Sequence, residues 1–231
     1  MRCLKVETVE TDSDLHDLEV EGGNYNYVAE GIVVHNTNCQ IGYMPGLNHE
    51  ELFFGGNLYV GSKGLSSKGL VFKDNEANAG NLYVRALKGL LETGFGEIIS
   101  IISHEFGDVP VRVFGEIYGK GVQDLAYGTT SPKLAVFDIQ VDGRYVDFAT
   151  MKVLAKRLGV DVVPTLYEGP FDPEALIVHR DGKDTLSNSN VREGIVIKAR
   201  DGGYHPNHGR KIGKWISPAY LERKGDATEF N

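Results

Sequence analysis

The sequence is poor in sulfur, in tryptophan and in long apolar runs. Among its 231 residues are two cysteines, three methionines and one tryptophan. Cys3 and Cys39 are too few for a disulfide framework and lack the spacing of metal ligands. No run approaches the roughly 18–20 apolar residues of a membrane span, and Met1 to Thr8 holds no apolar core of a secretory signal. These absences predict a reducing, cytoplasmic setting without a membrane partner. Basic charge is scarce at the N-terminus. Over residues 1–36, Arg2 and Lys5 stand against Glu7, Glu10, Asp12, Asp14, Asp17, Glu19, Glu21 and Glu30, so most of the net charge of −8 sits there. Such asymmetry predicts a basic partner for this segment, or simply a solvated acidic face.

What remains is an ordinary globular composition, 41% hydrophobic and 24% charged, with length for one or two domains and a full core. Strands are expected at 15–21 and 27–34, joined as a hairpin by Gly22-Gly23-Asn24. More are expected at 57–63, 69–73, 111–118, 134–141, 144–148, 193–200 and 211–217, with Asp142-Gly143 as a tight hairpin turn. Helical periodicity over 76–104 breaks near Thr93-Gly94. Met151, Leu154, Ala155 and Leu158 recur at helical spacing, and Gly159 is placed to end that helix. Hairpins with interspersed helices predict an α+β fold built on antiparallel sheet.

Residues 31–42 (Gly-Ile-Val-Val-His-Asn-Thr-Asn-Cys-Gln-Ile-Gly) hold two chemical patterns side by side. His35-Asn36-Thr37 supplies what the end of protein splicing requires. The Asn36 amide can attack its own backbone carbonyl and break the bond to Thr37. His35 can donate to that carbonyl at neutral pH, and the Thr37 hydroxyl can carry an upstream chain as an ester that rearranges to an amide. The tripeptide alone would be ordinary loop. Together with Asp17-Leu18-Glu19-Val20-Glu21 and the run Asn24 to Asn36, the segment resembles the C-terminal end of an intein. The resemblance implies a role for Asp17 in organising the earlier acyl shifts. It departs at Tyr25, where many inteins carry a histidine between the two asparagines. Because a complete intein is much longer, the resemblance implies a split intein (residues 1–36) that meets its N-terminal fragment on a separate polypeptide, with electrostatic steering.

From Thr37 onward the chain resembles ATP-dependent RNA ligases, in the branch whose nucleotidyltransferase domain ends the protein. Thr37-Asn38-Cys39-Gln40-Ile41-Gly42 fits the tail of the family's first motif, Glu-Lys-x-His-or-Asp-Gly-Thr-Asn, and Val33 stands where the nucleophilic lysine belongs. Val60 to Leu65 and Asn75 to Arg85 resemble the following segment, which implies phosphate contact for Lys63. Phe114-Gly115-Glu116-Ile117-Tyr118-Gly119 resembles the third motif, with Glu116 as acceptor for the ribose. Phe137-Asp138-Ile139 implies an adenine shelf at Phe137. Glu193-Gly194-Ile195-Val196-Ile197-Lys198 resembles the fourth motif, which gives Glu193 a catalytic role through a divalent metal and turns Lys198 toward the nucleotide. Lys211-Ile212-Gly213-Lys214-Trp215 resembles the fifth, in which a lysine neutralises the α-phosphate; Lys214 is the first candidate and Lys211 the second. Taken singly, each has a plainer reading: Phe137 as core, Lys63 and Lys214 as surface lysines, Phe-Gly-Glu as a strand before a turn.

The two resemblances together predict an antiparallel, ATP-grasp-like nucleotidyltransferase domain at 37–231, preceded by a short intein hairpin and lacking its first strands and its lysine. The expected activity is that of a trans-splicing precursor. Joined to a partner half, it would seal 5′-phosphate to 3′-hydroxyl ends of RNA or an RNA-containing nicked duplex, with ATP and Mg²⁺ or Mn²⁺. Alone it should not adenylylate itself. The rivals are a catalytically dead nucleotidyltransferase that binds nucleic acid and an unspliced two-chain ligase. DNA ligases and capping enzymes share the core motifs.

Overall fold

A computed structural model of the protein describes residues 26–30, 38–119, 122, 132–185, 188, 190–207 and 209–222. In chain order these form β1 (Asn26–Glu30), β2 (Asn38–Tyr43), β3 (Leu58–Ser62), α1 (Lys63–Ser66), α2 (Leu82–Leu91), α3 (Phe95–Glu105), β4 (Val111–Tyr118), β5 (Lys133–Val141) and β6 (Arg144–Tyr145). There follow α4 (Phe148–Arg157), β7 (Asp161–Val162), β8 (Thr165–Pro170), α5 (Pro173–Arg180), β9 (Gly194–Ala199), β10 (Tyr204–His205), β11 (Gly209–Arg210), β12 (Ile212–Ile216) and α6 (Pro218–Leu221).

Two sheets carry the site. The larger runs β3-β2-β4-β5-β6, antiparallel throughout, with β7 added parallel to β5. Apolar residues alternate along its strands and feed one face, as the pleat requires. Ile41, Leu58, Val60, Val113, Ile117, Val136 and Ile139 meet Val84 and Leu87 of α2, Phe95, Ile99 and Ile102 of α3, and Met151, Leu154 and Ala155 of α4 in the main core. Each fully buried large side chain there contributes roughly 1.5–3 kcal/mol. The helices begin where side chains satisfy free N–H groups: Asn81 accepts from Tyr83 and Val84, Asp147 from Thr150, and Asp172 from Glu174 and Ala175.

The smaller sheet has the order β12-β9-β1-β8. Ile195, Ile197 and Ala199 of β9 turn toward α5, burying Leu176 with Leu166, Tyr167, Phe171 and Trp215 around it. Val196 and Lys198 therefore face away from α5, toward the larger sheet.

The α+β expectation on antiparallel sheet agrees with this architecture. Several boundaries differ, each for a physical reason. The helical stretch 76–104 breaks at Gly94 (φ 83°) as expected, into α2 and α3, but its first helix starts only at Leu82, after a single 3-10 turn at Glu76–Asn78. Residues 69–73 make only one bridge, Val60 to Phe72. The strand expected at 144–148 ends at Tyr145, because Asp147 caps α4. The N-terminal segment departs most. β1 does not form a free-standing intein hairpin; both its edges are taken, by β8 and by β9. The other expected strand, 15–21, and residues 31–34 lie outside the described residues.

Candidate active site

The site lies where the two sheets face each other, and a bulge in β5 builds its centre. Phe114 of β4 opposes Asp138 and Gly115 opposes Val136, so Phe137 is an extra residue without a partner across the ladder. A bulge re-aims consecutive side chains. Val136 and Ile139 stay in the main core, whereas Phe137 packs on a second cluster of Tyr118, Ala135, Val163 and Tyr220. Asp138 turns the same way and meets the smaller sheet.

Asp138 is buried and holds two cations. Arg210 donates through Nη1 to Oδ2 at 2.5 Å and through Nη2 to Oδ1 at 2.6 Å. The Lys198 ammonium lies 3.5 Å from Oδ1 and also donates to the Phe137 carbonyl oxygen. The Arg210 guanidinium lies 3.9 Å from the ring centroid of Tyr145, and Lys198 lies 5.7 Å from that of Phe148. Bidentate, aromatic-backed pairing suits arginine rather than lysine. The backbone of the aromatic candidate Phe137 is thus clamped from the opposite sheet.

Glu116 sits on the same side of the larger sheet as Phe114, opposite Asn38 on β2 and Ala135 on β5. It is 6% exposed. Its neighbourhood shows in two acidities. Burial and then the Glu116 charge push the Cys39 thiol well above its usual range. Burial, then Cys39 and Glu116, raise the Tyr83 phenol to about 12. Lys63 starts α1 directly after Ser62, which pairs with Cys39, so it stands at the Glu116 end of the sheet and is exposed.

Glu193 and Gly194 enter β9 under tight constraint. A Cβ on Gly194 would lie 2.0 Å from the Trp215 carbonyl oxygen, at a φ of +146°. Gly115, beside Glu116, would meet the Ala135 carbonyl oxygen at 2.6 Å. Glycine next to each motif glutamate is thus dictated by close backbone approach. The Glu193 carbonyl accepts from the Ser217 N–H, and its residue is 4% exposed. On β12, Lys214 pairs with Val196 and so shares the face of Lys198. Lys211 stands just before β12, where its carbonyl accepts from the Ala199 N–H and its own N–H donates to the Gly203 carbonyl.

Lys198 thus reaches the Phe137 backbone and Asp138 across the sheets, and Lys214 shares its face, with Glu116 on the Phe114 side of β4 and Glu193 at the entry to β9. Asp17, Val33, His35, Asn36 and Thr37 lie outside the described residues. Asp138 lies inside the motif Phe137-Asp138-Ile139 without an assigned role and Arg210 lies in no motif, although a carboxylate inside the apolar run Leu134–Val141 was a visible signal. Among the described residues, no three His, Cys, Asp or Glu side chains gather to hold a metal ion. Glu193 is a buried carboxylate of the kind that can share a divalent ion with phosphate oxygens. Among the described residues no helix is long and apolar enough to cross a membrane.

The structure is similar to Naegleria gruberi RNA ligase with pyrophosphate, at TM-score 0.60 and 20% identity over 86% of this chain and 51% of that one. A variant of the same ligase with ATP and Mn matches at TM-score 0.62 and 19% identity, over 86% and 52%. At such identity the likeness is one of fold, and the chain spans about half the length of these structures. No curated protein matches the sequence. The family model described as RNA ligase matches residues 34–216, which take in both sheets except β1 and every element from β2 to β12. The chain belongs to the RNA ligase family.

Proposed function

We propose that the chain is the C-terminal part of an ATP-dependent RNA ligase, made as a trans-splicing precursor. The observation that carries the ligase reading is the sheet-to-sheet clamp, in which Lys198 donates to the Phe137 carbonyl and pairs with Asp138 from the strand face that Lys214 shares. Phe137 offers a platform for adenine, Glu116 an acceptor for the ribose hydroxyls, and Lys63 and Lys214 positive charge for the phosphates. Glu193 would hold a divalent ion, which offsets phosphate charge when bound.

The nucleophile is the missing part. In the mature enzyme a lysine at the place of Val33 would attack the α-phosphorus of ATP and release pyrophosphate. AMP would then pass to an RNA 5′-phosphate, freeing the lysine. Attack by a 3′-hydroxyl would form the phosphodiester and release AMP. Valine offers no nitrogen for the first step, and the only lysine before Thr37 is Lys5.

Splicing supplies the replacement. His35-Asn36-Thr37 stands at the point where ligase-like sequence starts, and the acidic segment before it resembles an intein end. Cyclisation of Asn36 would release residues 1–36, while Thr37 keeps the upstream ligase half through an ester that becomes an amide. The test is co-expression with a polypeptide carrying a ligase N-terminal half and an intein N-fragment, read by intact mass. The joined product should contain residues 37–231, and Asn36→Ala should abolish it. A joined product from the Asn36→Ala chain would sink the splicing assignment. A dead nucleotidyltransferase that binds nucleic acid is the second reading, favoured by Val33 alone. It predicts RNA binding with no lysyl-AMP in any combination of polypeptides.

A further inference from the structure

β1 belongs to the segment that splicing would remove, yet it holds the smaller sheet together. Its register joins Tyr27 to Gly169 and Ala199, Val28 to Glu168 and Lys198, and Ala29 to Tyr167 and Ile197. β9 has β12 on its other edge, whereas among the described residues β8 pairs with β1 alone. Loss of Asn26–Glu30 would therefore leave two facing strand edges, one strand-width apart, each with unpaired backbone groups. Unpaired strand edges of that kind invite another strand to pair with them.

We propose that the gap between β8 and β9 is a strand-acceptor slot. The intein-like segment fills it in the precursor, and an extended strand of the upstream ligase half replaces it after joining. This inference rests on the splicing reading above. Connectivity selects the occupant. A chain joined at Thr37 enters β2 from the same sequence position as the segment it replaces, so the strand that fills the slot would come from the residues just upstream of the junction, as Asn26–Glu30 do now.

The register also states the chemistry of that strand. Positions opposite Ile197 and Ala199 lie on the side packed against Leu176 of α5 and need apolar residues. Positions opposite Val196 and Lys198 lie on the nucleotide side. The occupied slot has two consequences: the second sheet is formed before the partner arrives, and productive assembly requires the placeholder to leave. The Glu168–Arg200 ion pair at 2.9 Å links β8 to the residue after β9 without using β1.

The test uses the full chain and Val28→Pro, since proline inside a central strand removes a ladder donor. Hydrogen exchange is read by mass spectrometry, with a synthetic peptide of residues 24–34 as the probe. In Val28→Pro, amide protection over 165–170 and 196–199 should fall about tenfold or more, while 111–118 and 133–141 stay protected. The added peptide should restore protection in the variant and leave the unsubstituted chain unchanged. Unaltered protection in Val28→Pro, or failure of the peptide to restore it, overturns the slot. Should the larger sheet also loosen, the milder Ala29→Gly is read by the same two criteria.

In the joined ligase, protection over 165–170 should persist once the excised segment is removed, and its loss would overturn the exchange. A joined product that never forms counts against the splicing reading. The peptide result stands or falls separately from it.

Discussion

Truncating Asp138 to alanine would leave two cations without their shared carboxylate in the interior. The Lys198 side chain is 4% exposed, Arg210 16% and Asp138 itself 6%. Breaking a buried pair by removing one partner costs about 3–5 kcal/mol, because the desolvation of the remaining charge is no longer offset. The Phe137 carbonyl still accepts from Lys198, and Arg210 can swing toward solvent along the Tyr145 ring, so the lower part of that range applies. Urea unfolding followed by the fluorescence of Trp215, the only tryptophan, reads the sheet that holds Lys198. Asp138→Ala should lose at least about 3 kcal/mol. The bidentate but exposed pair of Arg157 with Glu105, at 2.7 and 2.8 Å, is the control. Glu105→Ala should cost a small fraction of that loss, since solvent screens it. Equal losses in the two variants would refute the assignment of Asp138 as the electrostatic link between the sheets.

Other expectations follow from the same geometry. Gly194→Ala places a Cβ 2.0 Å from the Trp215 carbonyl at positive φ. It should destabilise by about 2–4 kcal/mol in urea unfolding, whereas Gly64→Ala, with open space around it, should cost little. Tyr83 titrates near 12 in the folded chain against an ordinary value of 10.0. Between those values the unfolded phenol ionises and the folded one stays neutral, so stability falls as pH rises through that window. Tyr83→Phe should flatten the fall in melting temperature over that range, and an unchanged slope would count against the raised acidity. Burial and Glu116 keep the Cys39 thiol protonated far into alkali. Peptide-level mass spectrometry after iodoacetamide at pH 8 should find Cys39 unmodified until denaturant is added.

The sequence made the strands of the larger sheet legible because alternation and tight turns are local signals. Val111–Tyr118 and Leu134–Val141 read as strands from their own residues, and Met151 to Leu158 as a helix from its spacing. β8 was missed because Thr-Leu-Tyr-Glu-Gly-Pro carries a glycine and a proline and shows no alternation. α5 was missed because it is short, although Asp172-Pro173 is a helix-start signal. The motif residues Glu116, Phe137, Lys198 and Glu193 could be singled out as residues. Their mutual placement could not, since the Phe137 bulge depends on the pairing of β5 with β4 and the Asp138–Arg210 pair joins residues 72 apart in sequence. The fate of β1 was beyond local reading for the same reason. Nothing in Asn26–Glu30 declares that its neighbours are residues 165–170 and 194–199.

The most direct measurement of the central claim is the site of AMP attachment. The full chain is incubated with ATP and Mg²⁺, alone and with the upstream half, and the AMP adduct is mapped by mass spectrometry. The account predicts no adduct on the 231-residue chain. It predicts one adduct in the joined polypeptide, on a lysine at the place that Val33 holds in the precursor. An AMP adduct on any lysine of the unjoined chain would contradict it.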